Sequence, residues 1–70
     1  MTDKNGVIGR VVEKLPSLTF AVELEYPAEK IIRAKMAGKM IQNRITVVVG
    51  DGVRVVLSPD GEIGRIIRRL

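Results

Sequence analysis

The side chains of this sequence that can do chemistry are cations. There are 12 Lys and Arg against 8 Asp and Glu, with no histidine and no cysteine. Imidazole general bases, thiolate nucleophiles and most transition-metal ligand sets are therefore excluded. The acids are scattered: Glu13, Glu23 and Glu25 fall within early apolar runs, while Asp51 and Asp60 sit beside glycines and read as turn residues rather than a catalytic pair. Gly50-Asp51-Gly52 lacks both the length and the Lys-Ser/Thr of a phosphate-binding loop. No enzyme, no metal and no cofactor is expected.

What remains is binding. Lys39 and Arg44 flank a short central segment, Arg33 and Lys35 precede it, and Arg65, Arg68 and Arg69 crowd the end of the chain. Gathered on one surface, these seven cations could neutralise phosphates and release counterions. Arginine suits the task because its planar guanidinium makes bidentate phosphate contacts and stacks on bases. Asn43 can hydrogen-bond a base edge or a ribose 2′-hydroxyl, or cap a helix as a residue that tolerates left-handed backbone. On residue type alone, the same cations also suit the solvated faces of strands.

Charge is unevenly distributed. Residues 1–29 carry three cations against five acids, a net of −2, and residues 30–70 carry nine against three, a net of +6. That asymmetry fits a polyanion binder. Phe20 and Tyr26 are the only aromatic residues, so the exposed rings on which single-stranded nucleic acid stacks are missing. RNA binding here implies charge and shape acting on a structured target. A second reading is a protein-interaction module or dimer, because Ile41, Val49, Val56 and Ile67 do not all fit inward-facing positions. Whether Ile41, Ile63 and Ile67 cluster on the surface separates the two.

The elements that must position these residues are short and β-rich. Val7–Leu15 is a strand with Gly9 inside it, a glycine position that signals a bulge or tight bend. Phe20–Glu25 alternates, with Phe20, Val22 and Leu24 inward, and Tyr26-Pro27-Ala28-Glu29 reads as a hairpin loop. Lys30–Met36 alternates again, with Ile32, Ala34 and Met36 inward and Ile31, Arg33 and Lys35 outward. Ala37–Asn43 breaks the alternation and suits one or two helical turns, with Met40 packed beneath them. Ile45–Val49 leads into the Gly50-Asp51-Gly52 turn, Val53–Leu57 is a fourth strand, Ser58-Pro59-Asp60-Gly61 a turn, and Ile63–Arg68 a fifth strand. Gly38 and Gly50 read as backbone punctuation, and a branched residue at Gly38 is expected to damage folding.

Three strands, a short helix and two strands is the order of an all-β, five-stranded OB-fold barrel with a short helix between strands 3 and 4. An SH3-like barrel is the rival, and the helical insert favours OB. Residues 1–70 make one domain, with residues 1–5 a flexible N-terminus. At this length a fold buries only about 60% of the surface its unfolded chain exposes, so the aliphatic core must pack well. No apolar run approaches the roughly 18 residues of a membrane span, and the N-terminus has no signal-peptide pattern. A cytoplasmic monomer is expected.

Several segments resemble the bacterial and plastid translation initiation factor 1 family. They are Gly9-x-Val11-x-Glu13-x-Leu15-Pro16 with Phe20-x-Val22-x-Leu24, then Gly38-Lys39-Met40 followed by Asn43 and Ile45, then Gly50-Asp51-x-Val53-x-Val55-x-Leu57-Ser58-Pro59, and Gly64-Arg65-Ile66. Four pieces in order, across roughly residues 6–68, are specific where each alone is not. The resemblance implies an OB-fold (S1-like) RNA-binding domain. It also implies a noncatalytic factor that binds small-subunit ribosomal RNA at the aminoacyl and decoding site, assists other initiation factors, and binds neither DNA nor membrane. On that basis the RNA-binding residues are Lys39, Asn43, Arg44, Arg65, Arg68, Arg69, Arg33 and Lys35. The sequence departs from the family pattern where Ile41 and Gln42 replace basic residues and Ile63 replaces a lysine. The Glu25–Lys30 hairpin loop is about two residues longer than usual, and the loop before Ile63 is about one shorter and lacks its usual tyrosine.

Overall fold

The computed structural model describes residues 6–25 and 30–70. Residues 1–5, expected as a flexible N-terminus, and the expected loop at residues 26–29 lie outside the described residues. Those described form β1 (Val7–Leu15), β2 (Thr19–Leu24), β3 (Ile31–Met36), α1 (Gly38–Gln42), β4 (Gly52–Leu57) and β5 (Ile63–Arg69). The strands close into a barrel in the order β1-β2-β3-β5-β4, with β4 pairing back onto β1. All pairs are antiparallel except β3 with β5, whose parallel pairing requires the crossover that α1 and the following segment supply. This is the OB arrangement expected from the element order.

Closure depends on β1 serving two neighbours. Its Gly9 stands opposite Leu24 of β2 and also opposite Val53 of β4. The register shift in β1 falls between Val11 and Glu13, so the bulge lies at Val12 and not at Gly9. Gly9 is required by proximity instead: a Cβ there would stand 2.6 Å from Val22 Cγ1 and 2.8 Å from Glu23 O. Gly64 on β5 is equally confined, by Val55 Cγ1 and by Ile32 Cδ1 at 2.8 Å. Gly6, just before β1, is confined as well, by the Val55 backbone, so at three positions the neighbouring strand leaves room only for hydrogen.

On β2 and β3 the residues expected inward, Phe20, Val22, Leu24, Ile32 and Ala34, are buried; Val11, Val53, Val55 and Ile66 are buried with them, and no buried charged or polar residue is found among the described residues. Met36 is half-buried and packs against this core. Met40 from α1 and Val47 from the following connector complete it. The connector is not a strand. Gly50 N–H donates to Val11 O at 2.8 Å and Val11 N–H donates to Asp51 O at 2.9 Å, so the turn is tied directly to β1. Asp51 acts as a turn residue, its carboxylate accepting from Val48 N–H at 3.0 Å.

At α1 the sequence expectation needs two corrections. A Cβ on Gly38 would meet nothing within 4 Å, so no steric reason excludes a side chain there. Asn43 is the C-cap residue but has φ −85°, outside the left-handed region; Arg44 takes that conformation, at φ +57°. Arg44 N–H donates to Ile41 O and Ile45 N–H donates to Met40 O, each at 3.0 Å, which is the paired hydrogen bonding of a Schellman motif. The position that usually holds glycine in that motif holds arginine.

Candidate nucleic-acid interface

The eight residues assigned to RNA binding come from three elements and the turn that leaves α1. Arg33 and Lys35 point out from β3, because Ile32 and Ala34, which alternate with them, point in. Arg65 is outward on β5 for the same reason, flanked by buried Gly64 and Ile66. Lys39, Asn43 and Arg44 are exposed on and after α1, and Arg68 and Arg69 are exposed at the end of β5.

The structure does not gather all eight into one patch. Lys39, Asn43, Arg68 and Arg69 line a single cleft of about 350 Å³ between α1 and the end of β5, floored by Met40 and walled by Ile45 and Ile67. These residues lie some 30 positions apart in the chain, and β-barrel closure brings them together. No carboxylate is among the lining residues. Arg69 is oriented rather than free: its Nη1 donates to Thr46 O at 3.0 Å, fixing the guanidinium at the mouth of the cleft. Asn43 caps α1 through its backbone, donating N–H to Lys39 O at 3.0 Å, while its side chain remains exposed.

Lys35 and Arg65 lie next to this cleft, in a groove of about 400 Å³ on the outer face of β3, β5 and β4. They are directly paired in register, as are Arg33 and Ile63. Ile67 lines both the cleft and the groove, so the two share a wall. Arg44 stands apart. It lines a third groove, of about 220 Å³, with Lys14, Leu18, Ile41 and Thr46. Lys14 escaped the sequence reading because it belongs to the acidic half of the chain; only the fold of β1 against the connector places it opposite Arg44. The aliphatics also separate: Ile63 and Ile67 share the β5 groove, Ile41 lines the third one, and all three are exposed.

The remaining polar constellation is structural. The Ser58 hydroxyl donates to the Asp60 carboxylate, and Glu62 N–H donates to the same oxygen at 3.0 Å. These two bonds hold the Asp60 carboxyl below the usual aspartate range. They fix the turn from β4 into β5. Among the described residues no cluster of three acids, histidines or cysteines could hold a metal ion, and no helix is long and apolar enough to cross a membrane.

No family model matches the chain. Individual relatives do. It is 46% identical over 68 residues to translation initiation factor IF-1 of Solibacter usitatus, covering 96% of this chain and 92% of that protein. It is 44% identical over 62 residues to translation initiation factor IF-1 of Rickettsia felis, covering 87% and 84%. Among solved structures, translation initiation factor IF-1 from the Wolbachia endosymbiont of Brugia malayi superposes with a TM-score of 0.69 at 33% identity, covering 97% of this chain and 84% of that one. YjeQ from Thermotoga maritima superposes at 0.74 with 28% identity, but the match covers 91% of this chain and only 22% of YjeQ. The likeness to YjeQ therefore concerns one part of a larger protein, whereas the IF-1 matches run nearly end to end at higher identity. The closed barrel, the helix between β3 and β4, and those full-length identities together place the chain in the translation initiation factor IF-1 family, a family of noncatalytic factors.

Proposed function

We propose that the chain binds the small ribosomal subunit through its RNA, at the aminoacyl and decoding site, and supports the other initiation factors there as a cytoplasmic monomer. The cleft between α1 and β5 is the centre of that contact. Lys39 and Arg68 supply phosphate contacts, Arg69 presents a preset guanidinium, and the Asn43 side chain reads a base edge or a ribose hydroxyl. Arg65, Lys35 and Arg33 extend the positive field along β5 and β3, and Arg44 extends it on the far side of the connector. The observation that carries the reading is the cleft itself, lined by three cations and an amide and by no carboxylate.

Co-sedimentation with purified small subunits, at low and at physiological salt, tests it. Saturation at one copy per subunit and weakening with salt are expected. Lys39→Ala and Arg68→Ala should each lower the slope of log K against log salt by about 1. Binding that is unchanged in both variants would remove the cleft from the interface.

A further inference from the structure

The groove on β3, β5 and β4 has features that the RNA reading does not use. Ile63 is 58% exposed and Ile67 37% exposed, and half-buried Val56 lies beside them on β4. Ile63 and Ile67 are both exposed and both line the groove, on a strand that bulges at Ile67, where Val55 pairs with Ile66 and Arg54 with Arg68, so they stand at most about 13 Å apart. Arg65 projects between them, with Lys35 of β3 as its register partner on one side and Val56 of β4 on the other. The stripe along β5 is therefore apolar, cationic, apolar. No carboxylate is among the residues that line it.

Several kinds of partner fit this stripe badly. The barrel is closed, so an extended peptide finds no unpaired edge to extend and recognition must run through side chains. The groove holds no aromatic ring, so a nucleobase gains no stacking there. Exposed isoleucines reward apolar side chains, and the intervening cations reward carboxylates. An α-helix offers that sequence along one face: apolar at i, acidic at i+4 and apolar at i+7 or i+8, the apolar pair spaced by about 10.5–12 Å.

We propose that this groove docks an acidic amphipathic helix of a protein partner, its two apolar side chains on Ile63 and Ile67 and its central carboxylate on Arg65. The groove does not include Lys39, Asn43, Arg68 or Arg69 of the RNA cleft; it shares the Ile67 wall with that cleft, and its Lys35 and Arg65 also belong to the wider positive field proposed for RNA.

The test uses the full chain and a fluorescein-labelled synthetic helical peptide of about 20 residues, with leucine at the two apolar positions, glutamate between them and an acidic flank. Fluorescence anisotropy should show saturable binding. Ile63→Lys and Arg65→Glu should each weaken it at least tenfold, and a lysine-for-glutamate peptide should recover binding to the Arg65→Glu protein. A scrambled peptide of the same composition should bind at least tenfold more weakly than the patterned one. Because both substituted side chains are exposed, unchanged thermal melts check that the fold is intact. Lys39→Ala and Arg68→Ala, which disable the RNA cleft, should leave peptide binding unchanged, so failure of either site is read separately. Equal binding of patterned and scrambled peptides, or indifference to Ile63→Lys, would overturn the proposal. So would a small-subunit affinity that rises with Ile63→Lys and falls with Arg65→Glu while peptide binding is indifferent to both, which would assign the face to RNA.

Discussion

Among the described residues, three that are not glycine hold left-handed backbone: Ser17 at φ +63°, Leu18 at +56° and Arg44 at +57°. Ser17 and Leu18 are the last two of the three residues that join β1 to β2, and positive φ at both favours glycine or asparagine. A left-handed residue with a Cβ costs roughly 1–2 kcal/mol, and glycine gives back part of any relief through its looser unfolded state. Leu18→Gly should therefore stabilise the fold by about 0.5–1 kcal/mol, read as a raised urea midpoint at unchanged slope. Arg44→Gly should bring a similar gain, since glycine is the usual residue at that Schellman position. It should also weaken binding to the small subunit, if the guanidinium is what keeps arginine there. Stabilisation with no loss of binding would remove Arg44 from the interface. Gly38→Ala tests the opposite case. Its Cβ meets nothing and alanine is the better helix former, so the melt should be unchanged or up to about 1 kcal/mol more stable.

Among the elements, β5 matters most, because it joins the two halves of the barrel and carries residues of both the cleft and the groove. It pairs in parallel with β3 and antiparallel with β4, and its Gly64 is packed against Val55 and Ile32 side chains from both neighbours. Gly64→Val should cost about 3 kcal/mol or more, as an overpacked core residue with little room to move. In a chain of 70 residues that loss should appear as partial unfolding at 37 °C. The turn that sets the start of β5 depends on Asp60, whose folded-state pKa lies below its unfolded value. Stability from such a group is present above the unfolded pKa and disappears as pH falls through the folded one. Melting temperatures of the wild type and Asp60→Asn should thus differ at neutral pH and converge in acid. The Asp60 carboxyl resonance should titrate below the ordinary aspartate midpoint.

At the scale of the whole molecule, charge divides by strand pair. On β1 and β2, exposed Arg10 and Lys14 balance exposed Glu13 and Glu23, while the adjacent β3 and β5 carry Arg33, Lys35, Arg65, Arg68 and Arg69 and no carboxylate. Association with a polyanion should then be steered by one side of the barrel, and its rate should fall steeply with ionic strength. Stopped-flow association with small subunits at two salt concentrations would measure this. The dissociation rate should change less. By itself the sequence determined the strands, the short helix and the core faces of β2 and β3, because alternation with period two is local and a barrel buries one face of every strand, whereas Val11, Val47 and Ile66 join the core only in the fold. It also determined what chemistry is missing, and four ordered motifs carried the family. Tertiary structure decided the rest. Which cations share a cleft depends on strand order and closure: Arg68 and Lys39 meet because β5 returns beside β3 and α1, whereas Arg44, one residue beyond Asn43, turns away through a left-handed backbone into a groove with Lys14. Glycine requirements divided in the same way. Gly9 and Gly64 are fixed by side chains arriving from other strands and Gly38 is not fixed at all, since crowding around a Cβ is set by neighbours in space that the flanking residues do not reveal.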